Sequence, residues 1–108
     1  VKLPQKRVFN LKEIMEYKQQ AFAETVLSEQ IELFLSCADL PKKDVFSKSD
    51  PFVVVYLKEN QGRFNEIGRT EVIYDNHFPK FSKSFKIEYK FEEEQFVRFD
   101  VYDEDKKN

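Results

Sequence analysis

The stretch Glu29-Gln30-Ile31-Glu32-Leu33-Phe34-Leu35-Ser36-Cys37 alternates apolar and polar side chains. One parity holds Ile31, Leu33, Leu35 and Cys37, and the other holds Glu32 and Ser36. Successive side chains of a β-strand point to opposite faces of its sheet. This period of two therefore predicts a half-buried strand over residues 29–37.

Four more segments have strand character, being rich in β-branched and aromatic residues or alternating in the same way. They are residues 51–57, 65–74, 85–89 and 97–101. No helical period separates them, so antiparallel strands with hairpin or Greek-key connections are favoured over β-α-β units. The sequence thus predicts an all-β, antiparallel Greek-key β-sandwich.

The N-terminal part of the chain is different. Residues 1–9 mix basic and apolar side chains around Pro4, and we assign them no regular element. Asn10 is a suitable helix N-cap with Glu13 three residues later, and an apolar stripe then predicts a short helix over residues 11–24. We interpret it as a surface helix packed on the domain, with a membrane- or partner-binding amphipathic helix as the alternative. The predicted division is an N-terminal extension, residues 1–28, and a folded domain, residues 29–108.

Composition narrows the functional classes. The chain has 108 residues, which suits one domain, and 41% of them are hydrophobic, as a folded core requires. Its 20 acidic and 18 basic residues give a net charge of −2, so no overall positive field attracts nucleic acid. With one cysteine and one histidine, neither an internal disulfide nor a zinc site is expected, which fits a reducing cytosol.

Other motifs are weak. No Ser-His or Cys-His pairing and no phosphate-binding glycine loop is evident, so we predict that the chain is not an enzyme. No apolar run approaches the roughly 20 residues needed to span a bilayer. Cys37 is interpreted as core packing and His77 as a turn residue without partners. Lys80, Lys83 and Lys86 suit an edge strand protected from aggregation, with a basic face for inositol lipids as the alternative.

Two acidic segments hold the distinctive chemistry. The first acidic segment, residues 40–52, contains Asp44 and Asp50, and the second, residues 102–108, contains Asp103 and Asp105. Loops that leave the same end of a sandwich cluster in space, so we expect these four carboxylates to converge. Calcium, which prefers six to eight oxygen ligands, would relieve their repulsion, and solvated surface acids are the alternative. An EF-hand does not fit, because the second segment follows a strand and lacks the required glycine.

The chain resembles a known family in four blocks. In chain order these are residues 44–52 (DVFSKSDPF), 68–73 (GRTEVI), 79–85 (PKFSKSF) and 99–105 (FDVYDED). They are similar to the first C2 domain of the copines, cytosolic proteins with two C2 domains and a von Willebrand A-like domain. A complete C2 sandwich has eight strands, so the five predicted here imply that the C-terminal strands are missing. The resemblance also implies calcium as the cofactor.

Site residues follow from this resemblance. It implies that Asp44 and Asp50 are the calcium ligands of the first acidic segment and that Asp103 and Asp105 are those of the second. Asn108 stands where some C2 domains use a further oxygen. Side chains expected to contact membrane flank these ligands and are Val45, Phe46, Lys43, Lys48, Lys106 and Lys107. The alternatives are a solvated rim for the lysines and a core position for Phe46.

The functional prediction combines these features. We expect a calcium-dependent phospholipid-binding module that recruits a cytoplasmic protein to anionic plasma or other internal membranes when calcium binds. Protein partners are also expected, and nucleic acid is not. The alternative is a C2-like scaffold that binds a protein partner without calcium.

Overall fold

The computed structural model describes residues 2–15, 28–40 and 50–104. These residues form six strands and one short helix. In chain order the elements are β1 (Lys2–Asn10), α1 (Leu11–Ile14), β2 (Ser28–Ser36), β3 (Pro51–Glu59), β4 (Asn65–Arg69), β5 (Lys80–Lys90) and β6 (Gln95–Asp103).

The strands form two antiparallel sheets. One sheet has four strands in the order β1-β6-β3-β4, and the other pairs β2 with β5. β5 lies between β4 and β6 in the sequence but belongs to the opposite sheet, so the chain crosses between the layers twice after β4. The predicted all-β, antiparallel sandwich is confirmed.

The core lies between the two sheets. The four-stranded sheet contributes buried valines from β3 and β6, and β5 contributes larger side chains from the other layer. They include Val53, Val55, Val97, Val101, Phe85, Ile87 and Tyr89. Along β2 the inward side chains of Ile31, Leu33 and Leu35 are half-buried, as the alternation predicts. Full burial of such a side chain contributes about 1.5–3 kcal/mol, so this layer contact dominates the stability of the fold.

The prediction that residues 1–9 form no regular element is wrong. β1 pairs with β6 from Lys2 opposite Tyr102 to Asn10 opposite Phe96, with a register shift after Lys2. This pairing places residues 2–10 at one edge of the four-stranded sheet. An edge strand has a neighbour on one side only, so a proline, which lacks a backbone N–H, is tolerated there. The boundary between residues 28 and 29 remains a prediction.

The predicted helix begins at the expected residue. Asn10 caps it, since its Oδ1 accepts a hydrogen bond of 3.0 Å from the Lys12 N–H. Leu11 and Met15 are buried, whereas Ile14 is 52% exposed. The helix ends at Ile14, and residues 16–24 of the predicted helix lie outside the described residues. In the described ranges, no helix is long and apolar enough to cross a membrane.

The third predicted strand is shorter than expected. β4 ends at Arg69, whereas the sequence predicted a strand to residue 74. The backbone leaves the sheet at Thr70, whose Oγ1 accepts the Val53 N–H at 2.8 Å and donates to the Glu71 carbonyl at 2.9 Å. This buried hydroxyl ends the ladder and starts the connection to β5, residues 70–79.

Candidate functional site

The register of β3 and β6 brings the two acidic segments together. These strands are antiparallel, and the first residue of β3, Pro51, pairs with the last residue of β6, Asp103. Asp50 immediately precedes β3. Both aspartates therefore lie at the same end of the four-stranded sheet, although 53 positions separate them in the sequence.

Two hydrogen bonds join the acidic segments directly. The Asp50 N–H donates to Asp103 Oδ1 at 2.7 Å, and the Glu104 N–H donates to the Asp50 carbonyl at 2.9 Å. Asp103 is only 4% exposed. A carboxylate that accepts an N–H bond makes a stronger hydrogen bond than a neutral acceptor, so this contact holds Asp50 against Asp103 at the end of β6.

A third segment reaches the same place. The Asp75 N–H, in the β4–β5 connection, donates to Asp50 Oδ1 at 2.8 Å. Asp75 has φ of 54°, a left-handed conformation that Asp tolerates better than most residues. This contact was not predicted from the sequence. The signal available was the Tyr74-Asp75-Asn76 turn, which carries the residue types that adopt this conformation.

The β4–β5 connection is itself held by a carboxylate. Glu71 accepts hydrogen bonds from the Ser82 N–H at 2.6 Å and the Lys83 N–H at 3.2 Å. The bond from Ser82 is the main reason that the pKa of Glu71 lies below its usual value. These bonds tie the connection to the beginning of β5.

His77 was predicted to have no partners, and this prediction is wrong. Its Nδ1 lies 2.6 Å from the carbonyl oxygen of Leu40, and the Leu40 N–H donates to the His77 carbonyl at 3.1 Å. Leu40 is the first residue of the first acidic segment. Close by, Cys37 donates its N–H to the Pro79 carbonyl at 2.9 Å. Cys37 is half-buried beside the core, and burial raises the pKa of its thiol.

A second acid on β6 departs from the predicted alternation. In the predicted strand 97–101, Asp100 alternates with Phe99 and Val101 and was therefore expected to face solvent, yet it is 2% exposed. Its Oδ1 lies 3.2 Å from Nε of Arg98, whose guanidinium stacks 4.0 Å from the centre of the Tyr56 ring. The outer face of this sheet is therefore packed rather than simply solvated, with Phe52 and Tyr102 stacked nearby at 5.4 Å.

Two of the four predicted calcium ligands, Asp50 and Asp103, are within the described residues and lie in contact. The other predicted site residues lie outside them and are Asp44, Asp105, Asn108, Val45, Phe46, Lys43, Lys48, Lys106 and Lys107. Residues 2–15, 28–40 and 50–104 contain no group of three or more acid, histidine or cysteine side chains placed to hold a metal. The two aspartates supply hard oxygen donors of the kind that calcium prefers, held in fixed orientation by N–H groups. The donor chemistry thus fits calcium, and the complete ligand set remains a prediction.

A known protein family has the sequence pattern of this domain. The C2 domain family matches residues 32–108, which include Asp50 and Asp103 together with β3 and β6. This chain belongs to the C2 domain family. The resemblance identified from the sequence is therefore confirmed at the level of the C2 domain, and its relatives include copine-family proteins.

Two relatives of this C2 domain are similar over about three quarters of its length. Protein BONZAI 1 of Arabidopsis thaliana is 47% identical over 81 residues, which cover 75% of this chain and 14% of that protein. Copine-A of Dictyostelium discoideum is 40% identical over 79 residues, which cover 73% of this chain and 13% of that protein. The C2 domain chain thus matches only about one seventh of the length of these relatives.

One solved structure has a similar fold. Human GIVD cytosolic phospholipase A2, in complex with methyl gamma-linolenyl fluorophosphonate, superposes with a TM-score of 0.59 at 21% sequence identity. The match covers 75% of this C2 domain chain but 11% of the phospholipase chain. At this identity the likeness shows the fold alone, and the family match points to a non-catalytic module.

Proposed function

We propose that this C2 domain is a calcium-dependent phospholipid-binding module. The observation that carries the proposal is the contact between Asp50 and Asp103, which joins the two acidic segments at one end of the sandwich. Carboxylates brought together from distant strand ends repel one another, and a divalent cation removes that repulsion. Through such a module, the protein that carries it would move from the cytoplasm to the plasma membrane or other internal membranes.

The chain's own residues would prepare the site. The N–H groups of Asp75 and Asp50 orient the carboxylates of Asp50 and Asp103 before any cation binds. Without a cation these negative charges repel an anionic headgroup. Bound calcium would supply positive charge and accept phosphate oxygens from lipid. Lys43, Lys48, Lys106 and Lys107 would add attraction of about 1 kcal/mol each at most, with Val45 and Phe46 inserting shallowly.

Vesicle sedimentation tests this proposal. The unaltered chain should sediment with phosphatidylserine-containing vesicles when calcium is present, and much less when calcium is chelated. The double variant Asp50→Asn, Asp103→Asn should lose the calcium-dependent fraction, because both carboxylate charges are gone while the side-chain shapes remain. Glu92→Gln, Glu94→Gln is the matched control, since it removes two charges from the β5–β6 turn at the opposite end of β6.

The same assay also tests the competing function, a scaffold that binds a protein partner without calcium. If the double variant binds as the unaltered chain does, and calcium has no effect on either, the membrane switch is wrong. That outcome would favour a calcium-independent scaffold that binds a protein partner. Phosphatidylcholine vesicles provide the lipid control, because they lack the net negative charge that the proposal requires.

A further inference from the structure

The β4–β5 connection contacts Leu40 and Asp50, the two described residues that flank residues 41–49 of the first acidic segment. At the N-terminal end, His77 forms hydrogen bonds with Leu40. At the C-terminal end, Asp75 donates its N–H to Asp50. Residues 75–77 thus contact Leu40 and Asp50 together.

The contact with Leu40 is reciprocal. Leu40 donates its N–H to the His77 carbonyl at 3.1 Å, and the Leu40 carbonyl lies 2.6 Å from His77 Nδ1. A carbonyl oxygen is only an acceptor, so Nδ1 of His77 must carry the proton. Nε2 is buried and has no hydrogen-bond partner among the residues that the structure describes. Among the described residues, the imidazole ring of His77 therefore forms its hydrogen bond through Nδ1.

Leu40 is a firm point of attachment for this contact. Its side chain is 6% exposed and belongs to the hydrophobic core, which holds the residue against the sandwich. Hydrogen bonds to its N–H and to its carbonyl oxygen then fix the backbone of Leu40 against His77. Removing the ring donor would leave the Leu40 carbonyl without this partner and release that constraint.

We propose that His77 is a positioning residue for calcium binding, which sets the start of the first acidic segment by donating Nδ1–H to Leu40. This inference rests on the proposed function, because the positioned segment contains the predicted ligands Asp44 and Asp50. A segment fixed at both ends loses less conformational freedom when it binds a cation, so its affinity is higher than that of a free segment.

Two substitutions separate this role from general packing. In Asn the amide nitrogen occupies the place of histidine Nδ1, one bond beyond Cγ, so His77→Asn keeps a donor for the Leu40 carbonyl. In Gln the amide nitrogen lies one bond further out, near the place of Nε2, so His77→Gln keeps polarity and loses the donor position.

Isothermal titration of the full chain with calcium chloride tests the inference. His77→Gln should raise the calcium Kd about three- to tenfold, the effect of one net hydrogen bond, and His77→Asn should stay within about twofold of the unaltered chain. Amide hydrogen exchange without calcium should show faster exchange at Leu40 in His77→Gln and not in His77→Asn. Far-UV circular dichroism verifies that the sandwich is intact.

The outcomes distinguish the two proposals. If the unaltered chain binds no calcium, both this inference and the proposed function are overturned. If the unaltered chain binds calcium and the Gln variant has the same affinity, only the positioning role is overturned. Equal weakening in Asn and Gln, or failure of the Gln variant to fold, would show that the ring matters for packing and not as a donor.

Discussion

Asp103 has two roles that substitution can separate. Its Oδ1 accepts the Asp50 N–H at 2.7 Å, and its negative charge is predicted to bind calcium. Asn keeps an oxygen at the Oδ1 position and removes the charge, whereas Ala removes both. Comparing Asp103→Asn with Asp103→Ala therefore tests the structural contact and the calcium ligand independently.

The magnitudes follow from this geometry. Asp103→Ala leaves a partly buried Asp50 N–H without its acceptor, which should lower the free energy of unfolding by about 1–3 kcal/mol. Asp103→Asn exchanges a charged acceptor for a neutral one, and relief of repulsion with Asp50 offsets part of that loss. We expect a decrease of less than about 1 kcal/mol without calcium. At calcium concentrations about 100-fold above Kd, the unaltered chain should gain about 2.7 kcal/mol and the Asn variant much less.

Urea unfolding measures all three proteins with and without calcium. Far-UV circular dichroism or tyrosine fluorescence can report it, since the chain has 5 tyrosines and no tryptophan. Equal destabilisation of the Asn and Ala variants without calcium would refute the role of the hydrogen bond. A calcium-induced gain in Asp103→Asn equal to that of the unaltered chain would refute the role of the carboxylate as a ligand.

Three further predictions concern the stability of the sandwich. The side-chain amide of Gln95 is fully buried and forms hydrogen bonds with two backbone groups of β5 and with a carboxylate of β3. Gln95→Met should therefore lower the free energy of unfolding, measured by urea titration, by about 2–4 kcal/mol. A loss below about 1 kcal/mol would contradict this. Gly68→Ala should lower the free energy of unfolding by about 1–3 kcal/mol, because the new Cβ would lie 2.9 Å from Cε1 of Phe85. A smaller destabilisation than that caused by Gly62→Ala would oppose this prediction. The pKa of Glu71 is lowered in the fold, so its stabilisation is present above the ordinary value of 4.5 and is lost as the pH falls below it. Glu71→Gln should therefore weaken the acid dependence of the melting temperature, and an unchanged dependence would count against this contact.

Much of the fold could be predicted from local patterns. The alternation in residues 29–37 corresponds to β2, and the inward side chains there are the predicted ones. The Asn10 N-cap was also predictable, since it depends on a side chain two residues from the N–H that it accepts. In each case the partner or periodicity lies within a few residues, so the sequence contains the complete signal.

Part of the candidate site was also predictable. Asp50 and Asp103 each stand at a strand end, and the sandwich architecture implies that such ends cluster. Their direct hydrogen bond depends on the register of β3 against β6, which pairs Pro51 with Asp103. A one-residue slip would move both side chains to different surroundings, so sequence position alone does not determine the contact.

By itself, the sequence determined the sandwich class, the resemblance to copine C2 domains and the strand ends that carry the acids. Only the tertiary structure decided that residues 2–10 form β1 beside β6, that Asp100 is buried, and that Asp75 and His77 contact the first acidic segment. The physical reason is that each of these depends on a partner distant in the chain or on packing by other elements. Local propensity contains no record of such partners, and a strand with a proline or a turn with a histidine acquires its role only when the sheets assemble.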